Sequence, residues 1–432
     1  MKVYLRTFGC RANHYDTEVV RAMVEAGGHA VVARPEDADV AVFNSCAVTA
    51  DAEAELRKVV RHTARRRVGL RSVVMGCAAA LDDQRPVALR ARSLPTVSHV
   101  VSGADLPAIA EALELSPVAL SVLTTHQVGT RALLRIQDGC DEHCTFCATT
   151  MARGANRGRP IDDLVREASA LAERHAEIVI TGIHIGTYGA DRGTSLGALV
   201  EHLVAAVPKV RFRLSSIEAT EIDTRLFELL TTAPRHLVPH IHAPLQSGAD
   251  QLLKRMGRHW YSSATYALAI ERLAGAMSVL GLGADVIAGF PGEREADHAA
   301  TCALIERLPF TYLHVFPYSV RPGTPAERLP GRVTPAAGQR RAAELRAIAA
   351  RKAAAYAAGR QGGLADVVVI GAGGNGEPGA GERRGLTGDY LDVVLGDPTL
   401  PRGARVDAEL RSRPGDPRGL LVADPAVILQ GS

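Results

Sequence analysis

The 432-residue sequence predicts an α/β protein in three parts. These are a doubly wound parallel-sheet domain (residues 1–120), a partial (β/α)6 barrel (126–360) and a small antiparallel β-barrel (361–432). Three patterns lead there. Strand-like and helical runs alternate through the first part, the order that builds a parallel sheet. Six strand-like runs of the second part each end in a polar motif, as expected where a barrel carries its chemistry on one face. The last part has short β-like runs joined by glycine- and proline-rich turns.

In the first part, Lys2–Thr7 reads as a strand leading to Gly9-Cys10. Val19, Val20, Met23 and Val24 then recur at helical spacing until Gly27-Gly28. Residues 39–43 form a second strand, ending in Asn44-Ser45-Cys46. Ala50–Arg66 is an alanine- and arginine-rich helix, and residues 72–75 a further strand ending in Gly76-Cys77. The carboxyl ends of parallel strands share one edge, where ligands bind. Cys10, Cys46 and Cys77 therefore leave the sheet together. Core packing is the plain alternative for a cysteine. Yet each of the three follows a turn-like step, where a core residue is not expected. Three thiolates at one edge could hold an iron–sulfur cluster.

In the second part, residues 132–136 feed Asp138-Gly139-Cys140-Asp141-Glu142-His143-Cys144-Thr145-Phe146-Cys147. Residues 177–180 lead to Thr181-Gly182-Ile183-His184-Ile185-Gly186-Thr187-Tyr188-Gly189, and Arg211–Leu214 to Ser215-Ser216-Ile217-Glu218. Residues 238–242 lead to Pro244-Leu245-Gln246-Ser247-Gly248, 284–287 to Gly289-Phe290-Pro291-Gly292-Glu293, and 311–316 to Pro317-Tyr318-Ser319. Helical stretches separate them. Cys302 lies in one of these and reads as a small core residue. His240 and His242 alternate along a strand and share a face, either the barrel interior or a polar layer.

Residues 334–360 form a long helix, with Thr334-Pro335 at its start and Gly359 at its end. Residues 366–370, 391–395, 405–410 and 419–423 are the β-like runs beyond it. Residues 371–376 fit G-x-G-x-x-G, but Glu377-Pro378-Gly379 follows and cannot open the helix that a dinucleotide site requires. The stretch reads as a hairpin loop.

Hydrophobic content of 47%, charged content of 22% and a net charge of +3 describe a globular chain without a broad basic field. The N-terminus runs straight into a strand, and no apolar run is long enough to span a membrane, so a cytoplasmic protein is expected. Seven cysteines without an export signal favour metal ligation over disulfides.

Cys140, Cys144 and Cys147 have the spacing C-x3-C-x2-C, with Phe146 before the last. Three thiolates can hold three irons of a cubane [4Fe–4S] cluster and leave the fourth open. Zinc or a disulfide is the alternative, although zinc wants a fourth ligand nearby and His143 lies inside the loop. The pattern resembles the radical S-adenosylmethionine (SAM) superfamily, whose open iron chelates SAM.

Along nearly its whole length the sequence is similar to the radical SAM methylthiotransferase family. The motifs are Thr7-Phe8-Gly9-Cys10-Arg11-Ala12-Asn13 with Glu18, Asn44-Ser45-Cys46-Ala47-Val48-Thr49, Gly76-Cys77, the Cys140 loop, Leu245-Gln246-Ser247-Gly248 and Gly289-Phe290-Pro291. The resemblance implies two [4Fe–4S] clusters. One, on Cys140, Cys144 and Cys147, cleaves SAM reductively; the other, on Cys10, Cys46 and Cys77, carries the sulfur. It further implies a SAM wall at Phe146, Gly182, Ser216, Gln246 and Gly289, and a C-terminal TRAM barrel that grips tRNA. Arg11, Cys46-Ala47-Val48-Thr49, the Thr181–Gly189 loop and His314-Val315-Phe316-Pro317-Tyr318-Ser319 look most like the branch that adds a methylthio group to C2 of N6-threonylcarbamoyladenosine at position 37 of tRNA. The branch acting on N6-isopentenyladenosine, that acting on a ribosomal-protein side chain, and a non-catalytic iron–sulfur RNA-binding protein are the alternatives. The implied partners are the tRNA anticodon loop, an electron donor such as flavodoxin or ferredoxin, and a sulfur source. The threonylcarbamoyl carboxylate favours an arginine fork, with Arg11, Arg153 and Arg157 as candidates. The sequence departs from the family at Ala148-Thr149-Thr150-Met151 and at Gly158, which are expected at the lip of the SAM site.

Overall fold

The computed structural model describes all residues except 48–49, 85–86, 88–89, 116–125, 373–382, 414–420 and 430–432. Strands β1 (Lys2–Thr7), β2 (Ala30–Val32), β3 (Val40–Ser45), β4 (Arg71–Gly76) and β5 (Val97–Val100) form one parallel sheet in the order β2-β1-β3-β4-β5. β3 is central and buried along its length, which is why it reads as a continuous apolar run. Two separate cores cover the sheet. Val20 and Val24 of the helix Arg11–Ala26, with Ile109, pack on one face; Leu56 and Val60 of the helix Ala50–Arg66 pack on the other. This is the doubly wound arrangement expected. The edge strands β2 and β5 were not legible, being short and partly exposed.

The central part opens with β6 (Ala132–Arg135), followed by a short antiparallel pair, β7 (Gln137–Asp138) and β8 (Arg157–Gly158), that brackets the second cysteine loop. β9 (Glu177–Thr181) and β10 (Arg211–Leu214) lie parallel in the order β10-β9-β6. β11 (His240–His242), β12 (Gly281–Ala288) and β13 (Tyr312–Pro317) form the order β11-β12-β13. Parallel bridges at Phe212–Leu237 and Ser216–His242 join the halves into a six-stranded partial barrel. Alternate residues face outward into one apolar core, among them Leu134, Ile180, Phe212, Ile241 and Val286. Glu177, Arg211, Arg213, His240, His242, Asp285 and His314, at intervening positions, make much of the interior polar.

The C-terminal strands β14 (Leu364–Ala372), β15 (Arg383–Thr387), β16 (Asp392–Leu395), β17 (Arg405–Ser412) and β18 (Leu421–Leu429) close into a barrel ordered β14-β15-β16-β18-β17. The expected antiparallel pairing holds except between β16 and β18, which run parallel. Gly371 and Ala372 end β14; the rest of the rejected glycine motif lies outside the described residues. The helix Pro335–Gly359 precedes this barrel, with Thr334 Oγ1 accepting from Ala337 N at its N-cap. Among the described residues no helix is long and apolar enough to cross a membrane.

The floor of the central barrel is a buried ion cluster. Glu177, fully buried, accepts from Arg211 Nε and Arg213 Nε, each at 2.8 Å, and from Arg131 Nη1 at 3.2 Å. The same arginines donate onward to main-chain oxygens of the C-terminal barrel. Arg211 reaches Asp366 O at 2.6 Å and Leu386 O at 2.9 Å, and Arg213 reaches Gly388 O at 2.9 Å and Thr387 O at 3.0 Å. Burial alone would raise the Glu177 carboxyl, but Arg213 and Arg211 outweigh it and hold it well below the usual 4.5. Glu177→Gln leaves the buried Arg213 without a carboxylate partner and Arg211 with Asp366 alone, and is expected to destabilise by roughly 3–5 kcal/mol, measured as a lower urea midpoint. Since the depressed pKa belongs to the folded state, this stabilisation is complete above the unfolded value of 4.5 and is lost as pH falls below it. The difference in midpoint between wild type and variant should therefore shrink under acid; a constant difference counters the assignment.

Candidate active site at two facing cysteine loops

Cys10, Cys46 and Cys77 meet at the carboxyl edge of the first sheet, around the buried side chain of Asn13. Asn13 Oδ1 lies 3.6 Å from Cys10 Sγ and 3.8 Å from Cys77 Sγ, while its amide donates to Phe8 O and Ser45 O at 3.1 and 2.8 Å. Gly9 has φ +98°, and a Cβ there would lie 2.6 Å from Cys46 Sγ, so only glycine lets the two cysteines approach. Cys46 and Cys77 are buried and Cys10 is exposed at the rim.

Cys140, Cys144 and Cys147 occupy the loop after β7. Gly139 (φ +73°) packs against Ala155 O, where a Cβ would sit 1.9 Å away. Gln137, fully buried, ties this loop to its neighbours. It donates to Gly139 O at 2.5 Å and Asn156 Oδ1 at 2.7 Å, and accepts from Ile183 N and His184 N at 3.0 and 2.9 Å. Positive groups stand against the sulfurs. Arg258 Nη1 lies 3.6 Å from Cys144 Sγ, and its other end pairs with Glu218. His184 Nδ1 lies 3.5 Å from Cys140 Sγ, with Glu221 2.9 Å from Nε2. Burial would lower the His184 pKa, but its bonds to Cys140 and Glu221 lift it to about 10.

The two loops face each other across one side chain. Arg153 donates from Nε to Cys77 Sγ at 3.3 Å, from Nη2 to Asn13 Oδ1 at 2.9 Å and Asp16 at 2.7 Å, and from Nη1 to Asp138 at 3.0 Å. Burial would raise the Asp138 carboxyl, but Arg153 and Arg135 outweigh it and hold it below the usual range. Arg153 is therefore engaged between the loops, which corrects its reading as a free fork for a substrate carboxylate. Arg157 remains exposed, its Nη2 donating to Arg153 O at 3.2 Å, and Arg11 lies at the rim with Nη2 3.4 Å from Tyr390 Oη. Ala148 packs against Ala47, Cys77, Ala78 and Leu81, while Thr149 N donates to Cys147 Sγ at 3.3 Å. The atypical segment thus includes part of the seam between the loops, where a small residue lets them close.

None of the seven cysteines is in a disulfide, which disfavours that alternative. Burial pushes Cys77 up to about 11 and Cys144 up to about 12, against the pull of Arg153 and Arg258. A bound metal ion would supply the positive charge that ionises such thiols. Each set offers three sulfurs and no fourth cysteine, since Cys302 packs on the barrel's outer core with Sγ 3.5 Å from His298 Nε2. Both donor sets fit a [4Fe–4S] cluster better than a four-ligand zinc site.

Gly182, Ser216, Gln246 and Gly289 follow β9, β10, β11 and β12 and so share the rim with the Cys140 loop. Gln246 holds φ +60°, a costly conformation for a non-glycine residue. Phe146 meets Phe290 edge to face at 6.3 Å. A cavity of about 480 Å³ opens beside Gly289, lined also by Ala288, Pro317, Tyr318, Val333 and Gly338. His240 and His242 face the barrel interior, both against Tyr312 Oη. Sequence reasoning missed Arg258 and Asp16, whose spacing carried no signal; His184 lay inside a quoted motif without a role.

A partial barrel with a three-thiol loop at its rim, joined to a second three-thiol sheet edge, is the architecture of a radical SAM enzyme. The Radical SAM superfamily model matches residues 134–305, and that of Uncharacterized protein family UPF0004 matches residues 2–94. The chain is 33% identical over 345 residues to the threonylcarbamoyladenosine tRNA methylthiotransferase MtaB of Thermotoga maritima, covering 77% of this chain and 78% of the relative. It is 33% identical over 441 residues to the tRNA-2-methylthio-N(6)-dimethylallyladenosine synthase of Methylococcus capsulatus, covering 94% of each. The fold is similar to that of the radical SAM methyltransferase TsrM from Kitasatospora setae, with a TM-score of 0.54, 14% identity, and 76% and 77% of the two chains covered. The chain belongs to the radical SAM tRNA methylthiotransferase family.

Anaerobically reconstituted protein is expected to hold about 8 irons, following the two-cluster logic. Alanine at Cys10, Cys46 and Cys77 together should remove about half of that iron and leave SAM cleavage in place; unchanged iron would overturn the first site. Arg153→Ala should depress methylthiolation more than SAM cleavage, because it removes the contact with Cys77 while the Cys140 loop keeps its bonds to Gln137. Equal losses would make Arg153 a general folding residue.

Proposed function

We propose that the protein attaches a methylthio group to C2 of N6-threonylcarbamoyladenosine at position 37 of tRNA, in the cytoplasm. The observation that carries this reading is the Arg153 bridge. One side chain touches Cys77 and also closes the Cys140 loop through Asp138, so a base held at the seam meets both sites at once. Cys140, Cys144 and Cys147 would hold a [4Fe–4S] cluster with an iron open to SAM, and Cys10, Cys46 and Cys77 a second [4Fe–4S] cluster. Bound there, these groups supply the one-electron chemistry and methylated sulfur that conversion of an unactivated aromatic C–H to C–S demands.

The chain's own residues bind, orient and exclude water. Arg258 and His184 counter the negative charge of a ligated loop. Phe146, Gly182, Ser216, Gln246 and Gly289 form the wall for SAM. Arg11 has no carboxylate partner among the described residues, and the exposed Arg157 stands nearby along the seam; both suit a carboxylate. The C-terminal barrel grips the RNA, and an anticodon loop can splay the target base outward. A flavodoxin- or ferredoxin-like donor supplies the electron, and a separate sulfur source renews the second site.

The relatives named for threonylcarbamoyladenosine, together with the Arg11, Cys46 and Thr181–Gly189 motifs, support this substrate over the dimethylallyl form. Nucleoside mass spectrometry after incubation with each tRNA is the test. Product is expected from threonylcarbamoyladenosine and little from isopentenyladenosine; the reverse, or equal product, would sink the substrate and leave the family intact. Removing residues 364–432 should weaken tRNA binding while SAM cleavage without RNA persists, and binding by the full chain should fall with added salt. Unaltered tRNA affinity after truncation would take the C-terminal barrel out of the scheme.

A further inference from the structure

The barrel interior holds a column of rings that the reading above leaves unused. His240 and Tyr390 stack at 4.5 Å between centroids, Tyr390 and Tyr312 at 5.2 Å, and Tyr312 lies 5.4 Å from His314. Tyr312 Oη is 2.9 Å from both His240 Nε2 and His242 Nδ1. His242 Nε2 and His314 Nδ1 lie 3.0 and 3.2 Å from the same oxygen, Asp285 Oδ1.

These contacts fix the protons. His240 Nδ1 is buried without a partner, and a bare acceptor is less costly there than a bare N–H. Its proton therefore sits on Nε2 and is donated to Tyr312. Tyr312 donates its own hydrogen to His242 Nδ1, and His242 donates from Nε2 to Asp285. The ionised Asp285 only accepts, so His314 donates to it from Nδ1. In this order His242, Asp285 and His314 form a hydrogen-bonded relay. The free end is His314 Nε2, on a side chain 53% exposed, whereas His240 and His242 are buried. Phe316 flanks that ring edge to face at 6.3 Å and limits its tilt.

Arg11 reaches the same column through Tyr390, and it directly follows Cys10. We infer that His314, carrying a proton on both nitrogens so that Nε2 donates, receives together with Arg11 the carboxylate of the threonylcarbamoyl substituent and so selects that adenosine over one with an apolar substituent. An isopentenyl group would leave both polar groups desolvated and unpaired, which discriminates strongly. This inference rests on the substrate reading above.

The test uses reconstituted holoenzyme and two anticodon stem-loop RNAs, one carrying N6-threonylcarbamoyladenosine and the other its neutral methylamide. His314→Asn keeps a donor for Asp285 and deletes Nε2; iron content equal to wild type shows that the variant is folded. Methylthiolation of the acid substrate at low RNA concentration is expected to fall roughly 10- to 100-fold, through KM more than kcat, as loss of a charge-assisted hydrogen bond requires. The amide substrate, already poor for wild type, should change little. Equal losses on acid and amide, or no loss on the acid, would overturn the role of His314. Wild-type protein inactive on the acid substrate would instead refute the substrate reading itself.

Discussion

Taking an arginine out of water is tolerable only when its nitrogens find acceptors, and Arg153 finds them on two different folding units. Asp16 and Asn13 belong to the first helix, Cys77 to the end of β4, and Asp138 to the strand before the second cysteine loop. The rest of the site depends on this arrangement. Asn13 is held by main-chain oxygens of the loops that present Cys10 and Cys46, so the guanidinium reads the position of the first thiol site through it. Arg135 also pairs with Asp16, adding a second charge from the barrel to the same carboxylate. The relative placement of the two thiol sets is therefore a property of one buried ion cluster.

The barrel interior is polar at every level, but its two ends differ. At the floor, arginines and Glu177 are fully paired and sealed by the turn 387–390. Nearer the rim, the relay through His242, Asp285 and His314 opens to solvent at its last member. A closed floor and an open rim direct a ligand to enter from the side of the cysteine loops. The exposed ring of Phe316 stands on that side.

Much of this was legible in the chain. The bounds expected for Lys2–Thr7, Ala50–Arg66 and Arg211–Leu214 are those observed, because apolar alternation and alanine-rich helix propensity act locally. Cys10, Cys46 and Cys77 were legible because each follows a strand end, and Cys140, Cys144 and Cys147 because of their spacing. What could not be read is anything set by partners distant in sequence. Arg211 and Arg213 alternate with Phe212 and Leu214 like the solvent face of an edge strand; only the C-terminal barrel, well over a hundred residues later, turns that face into an interior. Arg153 looked like a surface arginine awaiting an anion for the same reason, since nothing local announces Asp16. β15 escaped notice because Arg383-Arg384-Gly385 lacks the apolar run of a strand, its register being supplied by β14 and β16.

Arg211 and Arg213 hold the C-terminal barrel by the main-chain oxygens of Asp366, Leu386, Thr387 and Gly388. A carbonyl is the same whatever residue bears it. At these four bonds the joint between the buried floor and the outer barrel places little demand on side chains, with the Arg211–Asp366 and Arg235–Asp407 pairs added beside them. The outer barrel's surface can then change while its place relative to the cysteine-bearing rim stays fixed.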